Sequence, residues 1–158
     1  MAEKEKMTLA IVSGDLERAL AAFMLAVTGA SMGMEVSMFF TFWGLGVLKK
    51  ESNLAGKGLF EKMMSIMSPS NSTQLPVSKM NYFGVGAKML RQMMKDNNVS
   101  SLEEMIDMAR EMGVKMLACE MSKDVMGIQD EELMDGLEPA GVAAFLGESL
   151  RSRTNLFI

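Results

Sequence analysis

Chemistry in this chain has to come from very few side chains. Its 158 residues include one cysteine, Cys119, and no histidine. Without histidine there is no Ser-His or Cys-His nucleophile pair, no His-ligated zinc and no imidazole acid–base work. One cysteine precludes an intrachain disulfide, a CxxC redox pair or a cysteine-ligated cluster within one chain. A lone thiol also fits a reducing compartment, which points to the cytoplasm. Cys119 closes the apolar run Val114–Cys119 (VKMLAC) and precedes Glu120–Met126, which has the pattern of a helical turn. A thiol at a strand end, ahead of a helix start, faces unpaired backbone N–H groups that favour the thiolate. Glu120 opposes this, so the expected lowering of the Cys119 pKa is modest, and Lys123 helps only if it folds back. The alternative is a structural thiol, one more small buried hydrophobe.

The elements that position Cys119 follow from the apolar pattern. Met7–Val12 (MTLAIV), bounded by Ser13, Gly14 and Asp15, predicts a strand buried on both faces. Leu16, Leu20, Phe23, Met24, Val27 and Ser31 follow helical spacing, with Gly33 as the stop. Glu35–Phe42 (EVSMFFTF) predicts a second strand and completes a βαβ unit. Gly58–Met67 and Ala87–Asp96 predict helices, the first with Met63, Met64 and Met67 near one face. Between them Ser68–Lys79, with two of the three prolines, predicts a mobile loop that covers the site. Ser101 and Glu104 form a capping box for a helix with Leu102, Met105, Ile106 and Ala109 inward, ended by Gly113. Beyond Cys119, the acidic Asp130, Glu131 and Glu132 read as a solvated helix start. Pro139 starts a last helix with Val142, Phe145, Leu146 and Leu150 buried, and Thr154–Ile158 is a last strand. The alternation predicts a single α/β domain over residues 1–158, with three α/β/α layers. Its mainly parallel sheet has four to five strands, a fifth being expected in the middle region.

In such a sheet, sites collect at the carboxyl ends of the strands. That singles out Ser13, Gly14 and Asp15, then Trp43 and Gly44, then Cys119; for Trp43 a packed aromatic is the competing role. Acidic side chains outnumber basic ones 20 to 16, a formal charge of -4, so no nucleic-acid partner is expected. The uncharged runs Ala19–Met34 and Val36–Leu48 fall short of the roughly 18 residues of a membrane span, so no membrane association is expected. The N-terminal MAEKEK leads into too few apolar residues for a signal peptide. Gly84-Val-Gly86 and Gly44-Leu-Gly46 lack the third glycine of a dinucleotide loop and no GxxxxGK[ST] occurs, so no nucleotide, cofactor or metal is expected. Val36–Leu48 is longer than one strand needs, which hints at a buried interface in a homo-oligomer. The 20 methionines support a rival class. Met64/Met67 and Met105/Met108 have Met-x-x-Met spacing, and thioethers with one thiolate suit Cu(I). Their spread over every element favours gap-filling, or an adaptable docking surface for partner chains in a non-enzymatic binding module.

The segment Leu117–Ile128 (LACEMSKDVMGI) resembles the cysteine motif of the DsrE/DsrF/DsrH-like sulfur-relay family, closest to the DsrE-like branch often labelled peroxiredoxin-family protein. Ile11–Asp15 (IVSGD), Phe39–Gly44 (FFTFWG), Leu75–Asn81 (LPVSKMN) and Asn155–Ile158 (NLFI) match in the same order along the chain. The resemblance implies a cytoplasmic, oligomeric sulfurtransferase or sulfur carrier whose cysteine holds a persulfide or thiosulfonate. Its partners would be sulfur-donor and acceptor proteins, rhodanese-like or of the small sulfur-carrier type. Cys119 is then the reacting thiol, and Met121 and Ser122 follow it in the motif. Ser13, Gly14, Asp15 and Trp43 shape the pocket, and Lys79 offers a cation for an anionic thiosulfonate. The chain departs from the motif at Glu120 and Lys123, where neutral residues are expected. It also lacks the second cysteine of some sulfur-transferring members, so sulfur must leave Cys119 directly for a partner thiol. No proline or threonine precedes Cys119 as in a peroxiredoxin site, and a peroxidase role is set aside.

Overall fold

The computed structural model describes residues 4–158; Met1, Ala2 and Glu3, the start of the charged leader, lie outside them. Five strands, β1 (Lys6–Ile11), β2 (Glu35–Phe40), β3 (Lys115–Cys119), β4 (Glu138–Ala140) and β5 (Thr154–Phe157), form one parallel sheet in the order β4-β3-β2-β1-β5. The helices are α1 (Leu16–Ser31), α2 (Leu59–Met67), α3 (Val85–Asp96), α4 (Leu102–Glu111), α5 (Glu120–Met126) and α6 (Val142–Ser149). From β1 to β4 each step runs the same way across the sheet, so right-handed crossovers put α1 and α4 on one face. The return from β4 to β5 runs the other way and puts α6 on the opposite face.

The two faces are unequal. On the first, Leu9, Ile11, Met38 and Phe40 of the strands pack with Phe23 of α1 and Ile106 of α4. Complete burial of side chains such as Phe23 and Phe40 contributes about 2 kcal/mol each. On the second, Phe39, Leu117, Cys119 and Ala140 are covered by Phe145 of α6, whose ring stacks on Phe39 at 4.8 Å between centroids. The backbone at the carboxyl edge is equally close. Gly44 N–H donates to Val12 C=O at 2.9 Å, and a Cβ on Gly44 would lie 2.2 Å from the Ile11 carbonyl oxygen. Only glycine lets the chain after β2 lie against the end of β1.

Several sequence expectations are corrected here. The fifth strand is β4, not a middle segment, and Pro139 lies in it rather than starting a helix. Proline is tolerated because β4 is an edge strand. Of the side chains expected to be buried on the last helix, Phe145 packs inward while Val142, Leu146 and Leu150 are exposed, Leu150 at 88%. On α1, Met24 and Ser31 face outward and small Ala19, Ala22, Ala26 and Gly29 face inward, so the helix sits closer to the sheet than a stripe of large residues allows. Most of the run Val36–Leu48 is used within the chain, by β2 and a 3₁₀ turn at Phe42–Leu48 that buries Leu45, Val47 and Leu48, while Phe42 and Trp43 stay exposed. The segment Ser68–Lys79 is tied down at three points, Pro76 C=O accepting from Leu16 N–H at 2.7 Å, Ser72 C=O from Arg91 at 2.8 Å, and Leu75 being buried. Among the described residues no helix is long and apolar enough to cross a membrane.

The largest departure is Glu132. Instead of a solvated acid it is fully buried, and it closes the carboxyl edge of the fold. Its Oε2 accepts from Lys57 Nζ at 2.7 Å and from Gln129 N–H at 2.8 Å, while Oε1 accepts from Asn53 N–H at 3.0 Å. Lys57 also donates to Ser65 Oγ of α2 at 2.8 Å. Burial pushes the Glu132 carboxyl up, but these donors and the Lys57 charge outweigh it and hold the group below its ordinary value. A depressed folded-state pKa contributes stability that is present above the unfolded value of about 4.3 and is lost as pH falls through the folded one. Glu132→Gln leaves buried ammonium groups uncompensated and should cost roughly 3 kcal/mol at neutral pH. Urea unfolding at pH 7 and pH 3 checks this: the penalty should shrink at the acidic end, below the unfolded value of about 4.3, where the wild-type carboxylate takes up a proton on unfolding and the glutamine does not.

Candidate functional site

Cys119 ends β3 and is also the residue from which α5 starts, so its side chain lies beside the first N–H groups of that helix. Ser122, one turn on and fully buried, donates through Oγ to Cys119 Sγ at 3.4 Å. Thr41, just past the end of β2, lies with Oγ1 2.6 Å from Ser122 Oγ. A hydroxyl has one proton to give. With the Ser122 proton on sulfur, Thr41 is the donor to Ser122, and both hydroxyl dipoles point towards Sγ. Adjacency of β2 and β3 creates this pair, since Phe40 and Ala118 are register partners one residue before Thr41 and Cys119.

Burial pushes the Cys119 thiol up. The Ser122 hydroxyl and N–H, the Thr41 hydroxyl and the Met121 N–H together outweigh it, so the pKa lies below the ordinary value. Glu120, the residue expected to oppose ionisation, is exposed and is not among the groups that move the thiol. Lys123 turns away to pair with Asp130. The thiol is fully buried in the single chain, in a cluster with Phe39, Leu117 and Ala140 against which Phe145 packs.

The other sequence-derived residues fall in different places. Ser13, Gly14, Asp15 and Trp43 come together on the wall of a cavity of about 220 Å³ at the carboxyl edge of the sheet. Cys119 does not line it. The cavity opens on the side of the α1/α4 core, whose Leu75 and Ile128 form part of the wall. Ser13 Oγ donates to Asp15 Oδ2 at 2.9 Å and accepts from Asp15 N–H at 3.1 Å, holding the turn into α1. Met121 is exposed beside the thiol, and Lys79 is exposed away from both cavity and thiol. Sequence reasoning missed Thr41, whose signal was faint: a hydroxyl at the carboxyl end of a strand expected to neighbour β3. It also missed Lys49 and Ser65, which line the cavity.

Trp43 follows Phe42, which adopts a left-handed φ of 47°. Such a conformation is costly for an aromatic residue and turns the chain sharply where Thr41 must meet Ser122. Among the described residues no group of three or more His, Cys, Asp or Glu side chains is placed to hold a metal.

Comparison with known proteins agrees with this fold. The model of the DsrE/DsrF/DrsH-like family matches residues 3–157. The chain is 41% identical over 157 residues to YrkE, an uncharacterized protein of Bacillus subtilis, covering 99% of this chain and 98% of that one. It is 38% identical over 156 residues to the sulfur carrier protein DsrE2 of Allochromatium vinosum, covering 93% of this chain and 96% of the relative. The crystal structure of the ychN protein of E. coli shares the fold with a TM-score of 0.58 at 13% identity, covering 99% of this chain and all of that one. The chain belongs to the DsrE/DsrF/DrsH-like family.

Proposed function

We propose that this protein is a cytoplasmic sulfur carrier or sulfurtransferase of a sulfur relay, with Cys119 as the atom that bears the sulfur. The observation that carries the reading is the buried thiol with Ser122 and Thr41 aimed at it and a pKa held below the ordinary value. Family membership and the sulfur carrier from A. vinosum support a relay role for the chain. The Cys119 thiolate attacks the outer sulfur of a donor persulfide, R–S–SH, giving Cys119–S–SH and the donor thiolate R–S⁻. An acceptor thiolate then attacks that outer sulfur, leaving the Cys119 thiolate and an acceptor persulfide. No proton has to be removed by a base once the thiolate exists, so the lack of histidine is no obstacle. A thiosulfonate is the alternative cargo.

Access is the remaining requirement, because sulfur cannot be exchanged at a fully covered atom. The cover is light: α6 has eight residues, and among the described side chains of the helix Phe145 is the one packed over the Cys119 cluster. Displacing Phe145 opens the thiol to a partner, and exposed Met121 lies where that partner makes contact. Partners are donor and acceptor proteins of rhodanese-like or small sulfur-carrier type. Ser13, Gly14, Asp15 and Trp43 act from the neighbouring cavity rather than on the sulfur itself. Lys79 has a role only through a partner that reaches it.

A homo-oligomer belongs to the same proposal, on different grounds from the sequence. Leu59, Phe60, Ile66 and Phe83 are more than 70% exposed, as are Leu150 and Phe157 on the α6 side. That is more apolar surface than scattered exposed residues account for. The Cu(I)-carrier alternative gains no support from the Met-x-x-Met pairs. Met105 is buried while Met67 is 76% exposed, so the pairs do not form one exposed ligand set.

Intact mass spectrometry after incubation with a persulfide donor should show added sulfur on the wild type and none on Cys119→Ser. Loading of the serine variant would overturn the assignment. Alkylation rate against pH should give a midpoint that moves up in Ser122→Ala, with a slower rate at neutral pH, whereas Phe145→Ala should alkylate at least several-fold faster with an unchanged midpoint. Light scattering at micromolar concentration should return a multiple of 17.3 kDa; a stable monomer removes the oligomer.

A further inference from the structure

The cavity beside α1 carries a charge that the thiol chemistry does not use. Its wall is mainly apolar, with Trp43, Met64, Leu75 and Ile128, and its two ionisable residues are Asp15 and Lys49. Asp15 is already answered, by Ser13 Oγ at 2.9 Å and by Arg18 Nε at 3.6 Å. Lys49 is not. Its side chain is 3% exposed, and its ammonium donates to Ser52 Oγ at 3.2 Å. Glu132 is the nearest acid, with Oε1 at 3.8 Å, too far for a good hydrogen bond. That same carboxylate is committed to Lys57 at 2.7 Å. Two buried ammonium groups thus share one carboxylate, and an ammonium with three donors is left short of acceptors. Burial accordingly pushes Lys49 down from its ordinary pKa, Glu132 opposes this, and Lys57 adds to it.

A buried cation that shares its one carboxylate with a second lysine is costly unless further negative charge answers it. We infer that the cavity is a binding site for a small organic anion, with an acidic head on Lys49 and a short apolar body along Trp43, Met64 and Leu75. The apolar wall disfavours a bare inorganic anion, which would lose its hydration without gaining matching donors. The volume of about 220 Å³ sets the size at a short chain rather than a nucleotide or cofactor. Because Cys119 does not line the cavity, this site does not depend on sulfur transfer.

Trp43 is the single tryptophan and lines the cavity, so its fluorescence reports occupancy. The test titrates the full chain with hexanoate, hexan-1-ol and sodium sulfate. A saturable response to hexanoate, at least tenfold weaker for the alcohol and absent for sulfate, is the expected result. Lys49→Met should reduce hexanoate to the level of the alcohol while the Cys119 alkylation rate stays unchanged. An equal or stronger response to the alcohol, a response to sulfate alone, or no saturable response at all overturns the proposal. So does retention of the hexanoate preference in Lys49→Met. Should Lys49→Met not fold, Gly46→Leu decides. Gly46 lines the cavity with nothing closer to a built Cβ than Leu75 Cδ2 at 3.9 Å. The leucine should compete with hexanoate and abolish the response, and an unchanged titration counts against the site.

Discussion

The buried carboxylate of Glu132 is the constraint on which the carboxyl edge of this fold depends. A parallel sheet supplies its own backbone bonds, but the segments joining its strands must find partners elsewhere. Here two lysines and two backbone N–H groups, from positions 49 to 57 and from Gln129, converge on one acid. That convergence fixes the long connection after β2 and, through Ser65, helix α2. The cavity wall is a by-product of it. Removing the carboxylate would therefore disturb much more than a single ion pair.

How much of this was legible follows from where the interacting partners lie. Strands β1, β2 and β3 are covered on both faces, and such strands are written as continuous apolar runs. The Ser101–Glu104 capping box is local and forms as written. β4 is three residues with a proline in the middle, so it carries no strand pattern at all. Glu132 sits among acids and reads as surface because Lys57 lies 75 positions away. Thr41 and Ser122 are 81 apart and meet only because β2 and β3 are neighbours. The strand-end position of Cys119 was readable from one segment, but the side of the sheet it faces was not. Alternation assigns it to the α6 face with Phe39 and Leu117, away from the cavity that Ser13 and Trp43 line.

The two faces of the sheet divide the labour. The α1/α4 face holds the dense core, with Phe23 and Phe40 fully buried and the small residues of α1 drawn close. The α6 face is thin, and its apolar residues are split between Phe145 inside and Leu146 and Leu150 outside. Cys119 lies on this thin face, next to the Ser122 and Thr41 hydroxyls and in the cluster against which Phe145 of α6 packs.

Pro139 has a consequence for how copies of this chain can associate. The outermost strand on its side of the sheet is only three residues long, and its middle residue has no N–H to donate. A newcomer strand would find no continuous ladder to join, so this border cannot serve as a template for runaway β-sheet extension. Any contact between copies at this border is thereby left to side chains, where shape and composition select the neighbour, and backbone pairing, which accepts almost any sequence, is left to the opposite border at β5.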